Sequence, residues 1–207
     1  MSEEAEKKLI WHYTRIEVLK EIINTKIMLA THFNKLNDSG EILYGVKKFE
    51  ELYKDCLDDK KISTLNSYSR VVEDSERVFF IISFSRSIDS LYQWIAYTDP
   101  QKGGCAIGFE SDNLFKYPKG NPPQHNDCLY TDEQILKRFL PDKLNNNPTF
   151  YCLLHPMSFI KHPCFEEEKE HRYLFNDLNK RKVKKFQVKP YIKCRIRDLS
   201  SIKKIII

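Results

Sequence analysis

Two glutamates late in the chain have a spacing suited to acid or electrostatic catalysis. They lie in the segment Glu168-Lys169-Glu170-His171-Arg172, and alternate side chains of a β-strand share one face. A carboxylate on such a face could stabilise the oxocarbenium-like cation that forms when a sugar loses its leaving group. Arg172 could keep that carboxylate ionised or bind a phosphate. Glu170 is favoured over Glu168 because it lies deeper in the predicted strand, and a solvated edge strand remains the structural alternative.

A histidine near the start of the chain is a second candidate. His12 stands in the motif Trp11-His12-Tyr13-Thr14, just before a predicted helix. At the end of a strand its imidazole could donate to a ribose hydroxyl. The structural alternative is a partly buried histidine whose ring is hydrogen-bonded to backbone groups, and both interpretations remain open.

Hydroxyl and aromatic side chains in the middle of the chain could complete a binding site. Ser83 and Ser85 share one face of a predicted strand. Two hydroxyls there can bind a ribose or an amide, although they can equally satisfy nearby backbone groups. Tyr97, at the end of a short predicted helix, could stack on a planar ring or pack within the protein.

The main grouping of potential metal ligands has a spacing that zinc sites do not normally use. Cys152, His155, His162 and Cys164 follow the pattern C-x2-H-x6-H-x-C. The sequence also contains no phosphate-binding glycine loop and no HExxH or GxSxG motif. We therefore predict no metal site.

The composition is typical of a folded protein, and we expect one domain over 1–207 with its core from about residue 9. Of the 207 residues, 41% are hydrophobic and 13% aromatic, which is enough to build a core. The net charge of +5 allows contact with nucleic acid or a phosphorylated cofactor without requiring either. Six scattered cysteines, no secretion signal and no apolar run of ~20 residues predict a cytoplasmic protein with reduced thiols and no membrane contact.

The apolar patterns predict helices early in the chain and strands late in it, which indicates an α+β fold. Thr14 to Glu17 is interpreted as the capping box of a first helix, and Asp38 with Glu41 as the cap of a second. Short helices are predicted from residue 89 or 90 to 97 and at 132–140, with a loop at 117–127. Strands are predicted at 27–31, 78–85, 105–109, 157–161, 170–175, 183–193 and 202–207.

Taken in order, these motifs resemble an uncharacterised bacterial family, number 2971 in the domain-of-unknown-function series. The resemblance runs from about His12 to Ile207. It is carried by Trp-His-Tyr-Thr, Leu36-Asn37-Asp38-x-x-Glu41, Ser83-x-Ser85, Gln93-Trp94-x-x-Tyr97, Gly108-Phe109, Phe159-Ile160-Lys161-His162 and Glu168-x-Glu170-x-Arg172. Two positions depart from the family pattern, since the family usually has Pro where Ser39 stands and Trp where His171 stands.

The family pattern is in turn similar to ADP-ribosyltransferase-like domains, which bind NAD in the cleft of a split β-sheet core. This similarity implies an ADP-ribosyltransferase-like α+β fold with NAD as substrate. The implied catalytic residues are Glu170, Glu168 and His12. The implied cofactor-binding residues are His12, Tyr13, Thr14, Ser83, Ser85, Tyr97 and Arg172. The implied reaction cleaves the nicotinamide–ribose bond and passes ADP-ribose to a macromolecule or to water, in a bacterial toxin or an anti-phage defence system.

Two other functions remain open. A non-catalytic domain could bind a nucleotide or nucleic acid through a basic face, unless that face is only a solvated surface. The face would comprise Lys180–Lys185 with Lys189, Lys193, Arg195 and Arg197. A nuclease could use Glu168 and Glu170 with a metal, but the chain lacks the further spaced acidic and lysine residues expected for that chemistry.

Overall fold

The structure is a computed structural model that describes residues 9–36, 40–74, 79–99, 101–117, 122–140, 157–176 and 191–207. Its strands are β1 (Leu9–Arg15), β2 (Ile27–His32), β3 (Phe79–Ser85), β4 (Gly104–Glu110), β5 (Gln124–Asp127), β6 (Glu170–Asn176), β7 (Tyr191–Arg195) and β8 (Ile202–Ile206). Its α-helices are α1 (Ile16–Thr25), α2 (Glu41–Tyr53), α3 (Asp59–Asp74), α4 (Leu91–Tyr97) and α5 (Asp132–Arg138). Short 3-10 helices span Phe33–Lys35, Pro163–Glu168 and Leu199–Ser201.

The strands form one antiparallel sheet that splits at β3. One edge of β3 pairs with β6 along its length. Its other edge pairs with β1 at Ser85 and with β2 at Phe80 and Ile81. One arm of the sheet therefore continues through β1, β4 and β8, and the other through β2 and β7. The predicted α+β class is confirmed.

The two faces of β3 lie in different parts of the core, because its sequence is apolar on nearly every residue. Phe79 and Ile81 point with Ser83 and Ser85 to one side, here called the serine face. Phe79 and Ile81 pack there in the core cluster that includes residues of α2 and α5. Phe80, Ile82 and Phe84 point to the other side, here called the Phe84 face, where they pack with residues of α1, β2 and β4.

Helix α2 covers the serine face through residues at helical spacing. Ile42, Val46 and Phe49 are buried on one side of the helix. Gly45 lets α2 approach the turn at residues 157–160 closely. A Cβ atom at this position would lie only 2.4 Å from the carbonyl oxygen of Met157. This packing places the first residue of α2, Glu41, at the interior end of the helix.

Five of the predicted strands are present to within a residue or two, at 27–31, 78–85, 105–109, 170–175 and 202–207. The Thr14 capping box is wrong, because Thr14 belongs to β1 and Arg15 is the N-cap without a side-chain bond. The predicted strand at 157–161 is a turn with a single bridge from Ile160 to Leu129. β5 lies within the predicted loop. The predicted strand at 183–193 overlaps β7 at 191–193, and its earlier part lies outside the described residues. The predicted Asp38 cap is wrong, because Gly40 is the N-cap of α2 and makes no side-chain cap bond; Asp38 itself lies outside the described residues.

No helix in the described ranges combines the length and the apolar character that a membrane span requires. The helices that the structure describes are amphipathic or short, as expected for elements that pack against one sheet.

Candidate functional site

Five charged side chains from distant parts of the chain meet in the interior on the serine face. Each exposes 7% or less of its surface, which is rare for ionisable residues unless they are paired. They are Glu41, Lys161, Glu168, Glu170 and Arg172, here called the charged cluster. The structure thus brings both predicted glutamates and the predicted arginine together.

Arg172 lies at the centre of the charged cluster. Its Nε donates to Glu170 Oε1 at 2.7 Å and its Nη2 to Glu170 Oε2 at 2.9 Å. Nη2 also donates to Glu41, and Nη1 donates to the carbonyl oxygen of Ser158. Such bidentate bonding uses the guanidinium geometry fully. With 1% of its surface exposed, Arg172 is enclosed and does not reach a surface where a phosphate could bind.

Lys161 joins the three carboxylates of the charged cluster. Its Nζ lies 2.9 Å from Glu41 Oε1, 2.5 Å from Glu168 Oε2 and 2.7 Å from Glu170 Oε2. Burial alone would lower the pKa of Lys161, but the charges of Glu170 and Glu41 outweigh it and hold the pKa above its usual value. Lys161 is therefore a permanent cation in the folded protein.

The two predicted glutamates have opposite electrostatics. Burial would raise the pKa of Glu170, but Arg172 and Lys161 lower it to about 2, so Glu170 stays ionised. In Glu168 burial dominates and raises the pKa above its usual value in spite of Lys161. Glu168 is thus the carboxyl of the pair that can exchange a proton nearer to neutral pH, as a general acid or base must.

Glu168 belongs to a different element from the strand that was predicted to carry it. Glu170 and Arg172 alternate on β6 as expected, but Glu168 ends the 3-10 helix before it. Lys169 links the two elements in a left-handed conformation with φ of 44°. Ser85 holds this junction, because its Oγ donates to the carbonyl oxygen of Glu168 at 2.7 Å.

Helix α4 lies between Glu168 and solvent. Burial, and then the charge of the nearby Glu168, raises the pKa of Tyr92. Burial and the charges of Glu168 and Glu170 raise the pKa of Tyr97 to about 12. Tyr92 is 48% and Tyr97 38% exposed. Two tyrosine rings that a ligand can reach therefore lie beside one partly protected carboxyl.

Tyr13 supports α4 rather than facing a ligand. Its hydroxyl donates to the carbonyl oxygen of Ser87 at 2.9 Å and accepts from the backbone N–H of Ser90 at 3.0 Å. Its ring packs edge-on against Trp94 at 5.1 Å. These contacts fix the loop that leads into α4.

His12 is not brought to the charged cluster. Trp11 pairs with Ser85, so His12, the next residue of β1, points to the Phe84 face. There its ring lies 5.7 Å from that of Phe84, and its Nδ1 is 3.4 Å from the carbonyl oxygen of Ser83. Burial lowers the pKa of His12 to about 4. By the same alternation Thr14, which is buried, also lies on the Phe84 face.

Two members of the charged cluster were not predicted as site residues. Glu41 was explained fully as a helix cap, and Lys161 lies in an apolar run that was predicted to be a strand. A signal was present in that run, since a lysine between apolar residues needs a partner. Ser83 is half-buried on the serine face beside Arg172, its pairing partner on β6.

Of the four residues considered for zinc, the structure describes His162 and Cys164. His162 accepts from the backbone N–H of Cys164 at 3.2 Å and caps the 3-10 helix. Cys152 and His155 lie outside the described residues. Among the residues that the structure describes, no group of three or more His, Cys, Asp or Glu side chains could hold a metal ion.

The comparisons with known proteins bear on the part of the chain that carries most of the charged cluster. Residues 93–173 match the model of a family described as a protein of unknown function, DUF2971. No curated protein and no solved structure matches the chain. The matched segment contains Tyr97, Lys161, Glu168, Glu170 and Arg172. The resemblance to family 2971 that the motifs predicted is confirmed over residues 93–173.

Proposed function

We propose that the protein binds NAD beside α4 and uses Glu168 to cleave the nicotinamide–ribose bond, passing ADP-ribose to water or to a macromolecular acceptor. The observation that carries the proposal is the position of Glu168. It is a carboxyl with a raised pKa that pairs with Lys161 at 2.5 Å and lies near two exposed tyrosine rings. Perturbed carboxyls at such boundaries are typical of functional sites.

The charge of the cluster suits this reaction. Its three carboxylates face two cations, so the fully ionised cluster has an excess of negative charge. Departure of nicotinamide leaves positive charge on the ribose. A fixed negative charge in a site of low dielectric stabilises that charge without reorganisation. Glu168 is the carboxylate next to α4, so it rather than Glu170 would face the ribose.

The tyrosines of α4 suit the leaving group. Nicotinamide is a planar ring, and an exposed tyrosine offers a flat apolar face with a polar tip. Ligand binding would bring the nicotinamide ring beside these tyrosines, where Tyr97 would stack on it. His12 and Arg172 take no part in this arrangement, because His12 lies on the Phe84 face and Arg172 is enclosed.

The test is release of nicotinamide from NAD by the wild type, Glu168→Gln and Glu167→Gln. Glu167 is the exposed neighbour of Glu168 and serves as the matched control. We expect Glu168→Gln to slow release by ~10²–10³-fold, because one preorganised charge is lost. We expect Glu167→Gln to retain the wild-type rate. NAD should raise the thermal midpoint of all three proteins. Equal rates in all three would contradict the role of Glu168.

A non-catalytic nucleotide- or nucleic-acid-binding domain is the second candidate. Full mutual bonding of Glu170 and Arg172 is also what a purely structural ion network shows. Lys193, Arg195 and Arg197 are exposed at every second residue of the chain around β7 and form part of the basic face. The remainder, Lys180–Lys185 and Lys189, lies outside the described residues.

Release of nicotinamide from NAD distinguishes the two candidate functions. A binding domain would be stabilised by NAD or by a short oligonucleotide and would release no nicotinamide. For the oligonucleotide, affinity should fall steeply as salt rises. If the wild type shows that behaviour, the binding function replaces the catalytic one.

A further inference from the structure

We propose that His125 and His171 form a binding site for a divalent transition-metal ion such as Zn²⁺. The two rings lie on the Phe84 face of the sheet, where β5 pairs with β6. Neither ring belongs to the charged cluster, which lies on the serine face. The inference is therefore independent of the proposed function.

The separation of the two rings fits a shared ion. Nδ1 of His125 lies 3.3 Å from Nε2 of His171. Zn–N bonds of about 2.0–2.1 Å at tetrahedral angles place two ligand nitrogens roughly 3.3 Å apart. The separation is also longer than the ~2.9–3.0 Å that is commonest for a hydrogen bond from a nitrogen donor.

Asp127 prepares His171 for a metal. Its Oδ1 lies 2.5 Å from Nδ1 of His171. When the proton lies on Nδ1, between His171 and Asp127, Nε2 has a free lone pair, and this nitrogen lies 3.3 Å from His125 Nδ1. A carboxylate that holds the other nitrogen of the ring accompanies most metal-binding histidines, because it fixes the tautomer and raises the basicity of the ligand.

Both rings are held in place before any ion binds. His171 exposes 2% of its surface. The ring of His125 stacks on Tyr173, with centroids 4.6 Å apart and planes at 11°. Tyr173 is fixed in turn, since its hydroxyl donates to the carbonyl oxygen of Ser111. An ion therefore requires little reorganisation of the protein.

The charges and ligands around the pair define the class of ion. Arg86 opposes a cation here: its Nε donates to Asp127 at 2.8 Å, and its Nη2 lies 3.1 Å from His171 Nδ1, where it competes with Asp127 for that nitrogen. With two imidazole ligands and water for the rest, the site suits zinc, nickel or copper rather than calcium or magnesium.

The test is a zinc titration of the tag-free, metal-depleted full chain against a chromophoric competing chelator. The variants are His125→Gln, Asp127→Asn, the control His162→Gln and a protein with Cys56→Ser and Cys164→Ser. His125 is exposed on an edge strand and His162 is an exposed histidine elsewhere, so neither change threatens the core. Circular dichroism verifies the fold of each variant.

We expect one zinc ion per chain for the wild type, the histidine control and the cysteine control. Asp127→Asn should weaken binding by about 10–100-fold, and His125→Gln by at least about tenfold. Absence of binding by the wild type overturns the proposal. So does unchanged affinity in His125→Gln, or loss of binding in the cysteine control, because the zinc would then lie elsewhere.

Discussion

Arg172 is the side chain on which the interior of the serine face depends most. Its replacement by Met would leave Glu41 and Glu170 buried with Lys161 as their remaining charged partner. Breaking a buried pair on one side typically costs about 3–5 kcal/mol of unfolding free energy. Chemical denaturation of Arg172→Met should show a loss of that size.

The control for Arg172 is an ion pair at the surface. Lys203 and Glu110 are 3.1 Å apart, with 37% and 59% of their side chains exposed. Lys203→Met should cost less than about 1 kcal/mol, because solvent screens the pair. Comparable losses in the two variants would show that the charged cluster contributes no special stability.

His12 makes the protein sensitive to acid. Burial lowers its pKa from 6.5 to about 4, so the unfolded chain takes up a proton more readily between these values. The contribution of the neutral His12 to the free energy of unfolding is fully present above pH 6.5 and is lost as the pH falls toward 4. The wild type should lose up to about 3 kcal/mol relative to His12→Gln over that range, measured by urea denaturation. A difference that is independent of pH would refute the burial argument.

Glu168 should set the acid limb of the pH–rate profile. Its pKa lies above the usual 4.5 because of burial, and only the carboxylate stabilises positive charge. The rate of nicotinamide release should therefore rise with pH through a midpoint above 4.5. A pH-independent rate in the acid range would assign the reaction to another group. Glu167→Gln should leave the midpoint unchanged.

At the scale of elements, the contact between α2 and the turn at 157–160 aligns Glu41 with Lys161. Gly45→Ala would place a methyl group 2.4 Å from the carbonyl oxygen of Met157, and a backbone atom cannot rotate away. We expect a loss of about 1–3 kcal/mol in unfolding free energy, as for other overpacked interiors. Lys47→Ala, at an exposed position of the same helix, should change stability little. Calorimetry of both variants measures the two changes in stability, and their difference separates the effect of packing at Gly45 from the effect of helix propensity.

The elements with strong local patterns were predictable from the sequence. β3 is a mostly apolar run, and β6 places its charged residues Glu170 and Arg172 on one face and its aromatic residues on the other, so both were found with nearly correct bounds. β5 has the polar sequence of an edge strand, and only its pairing with β6 reveals it. The apolar run at 157–161 was predicted as a strand but is buried by α2 instead of by strand pairing.

The candidate site was predictable only in its local part. Alternation on β6 placed Glu170 and Arg172 together, whereas Glu41 contacts Arg172 from 131 residues away. Such a contact depends on how α2 packs, which no local pattern encodes. The face that His12 occupies depends on the pairing of Trp11 with Ser85, and a shift of one residue would reverse it.

At the scale of the whole molecule, burial divides the thiols into two classes. Cys105, Cys128 and Cys194 are buried, and burial raises the pKa of each. Cys56 and Cys164 are exposed, and all five are free. A thiol reagent should modify the exposed pair quickly and the buried three only after denaturation, because the thiolate is the reactive form.

Cys152 lies outside the described residues, and the number of free thiols in the denatured chain tests whether it is reduced. In denaturant without reductant the reagent should count six thiols, the number in the sequence. A count of four or fewer would contradict the prediction that the chain has reduced cysteines. Rapid modification of all five described thiols in the native state would contradict the burial pattern.

The split of the sheet at β3 also decides when the protein can fold as it leaves the ribosome. β2 pairs with β7, and Thr31 in particular pairs with Tyr191. An early strand must therefore wait with one edge open until most of the chain has been synthesised. Sheets closed by contacts so distant in sequence fold slowly, and their open edges invite pairing with other chains. The arm formed by β2 and β7 is thus the part of this sheet for which a chaperone would matter most during translation.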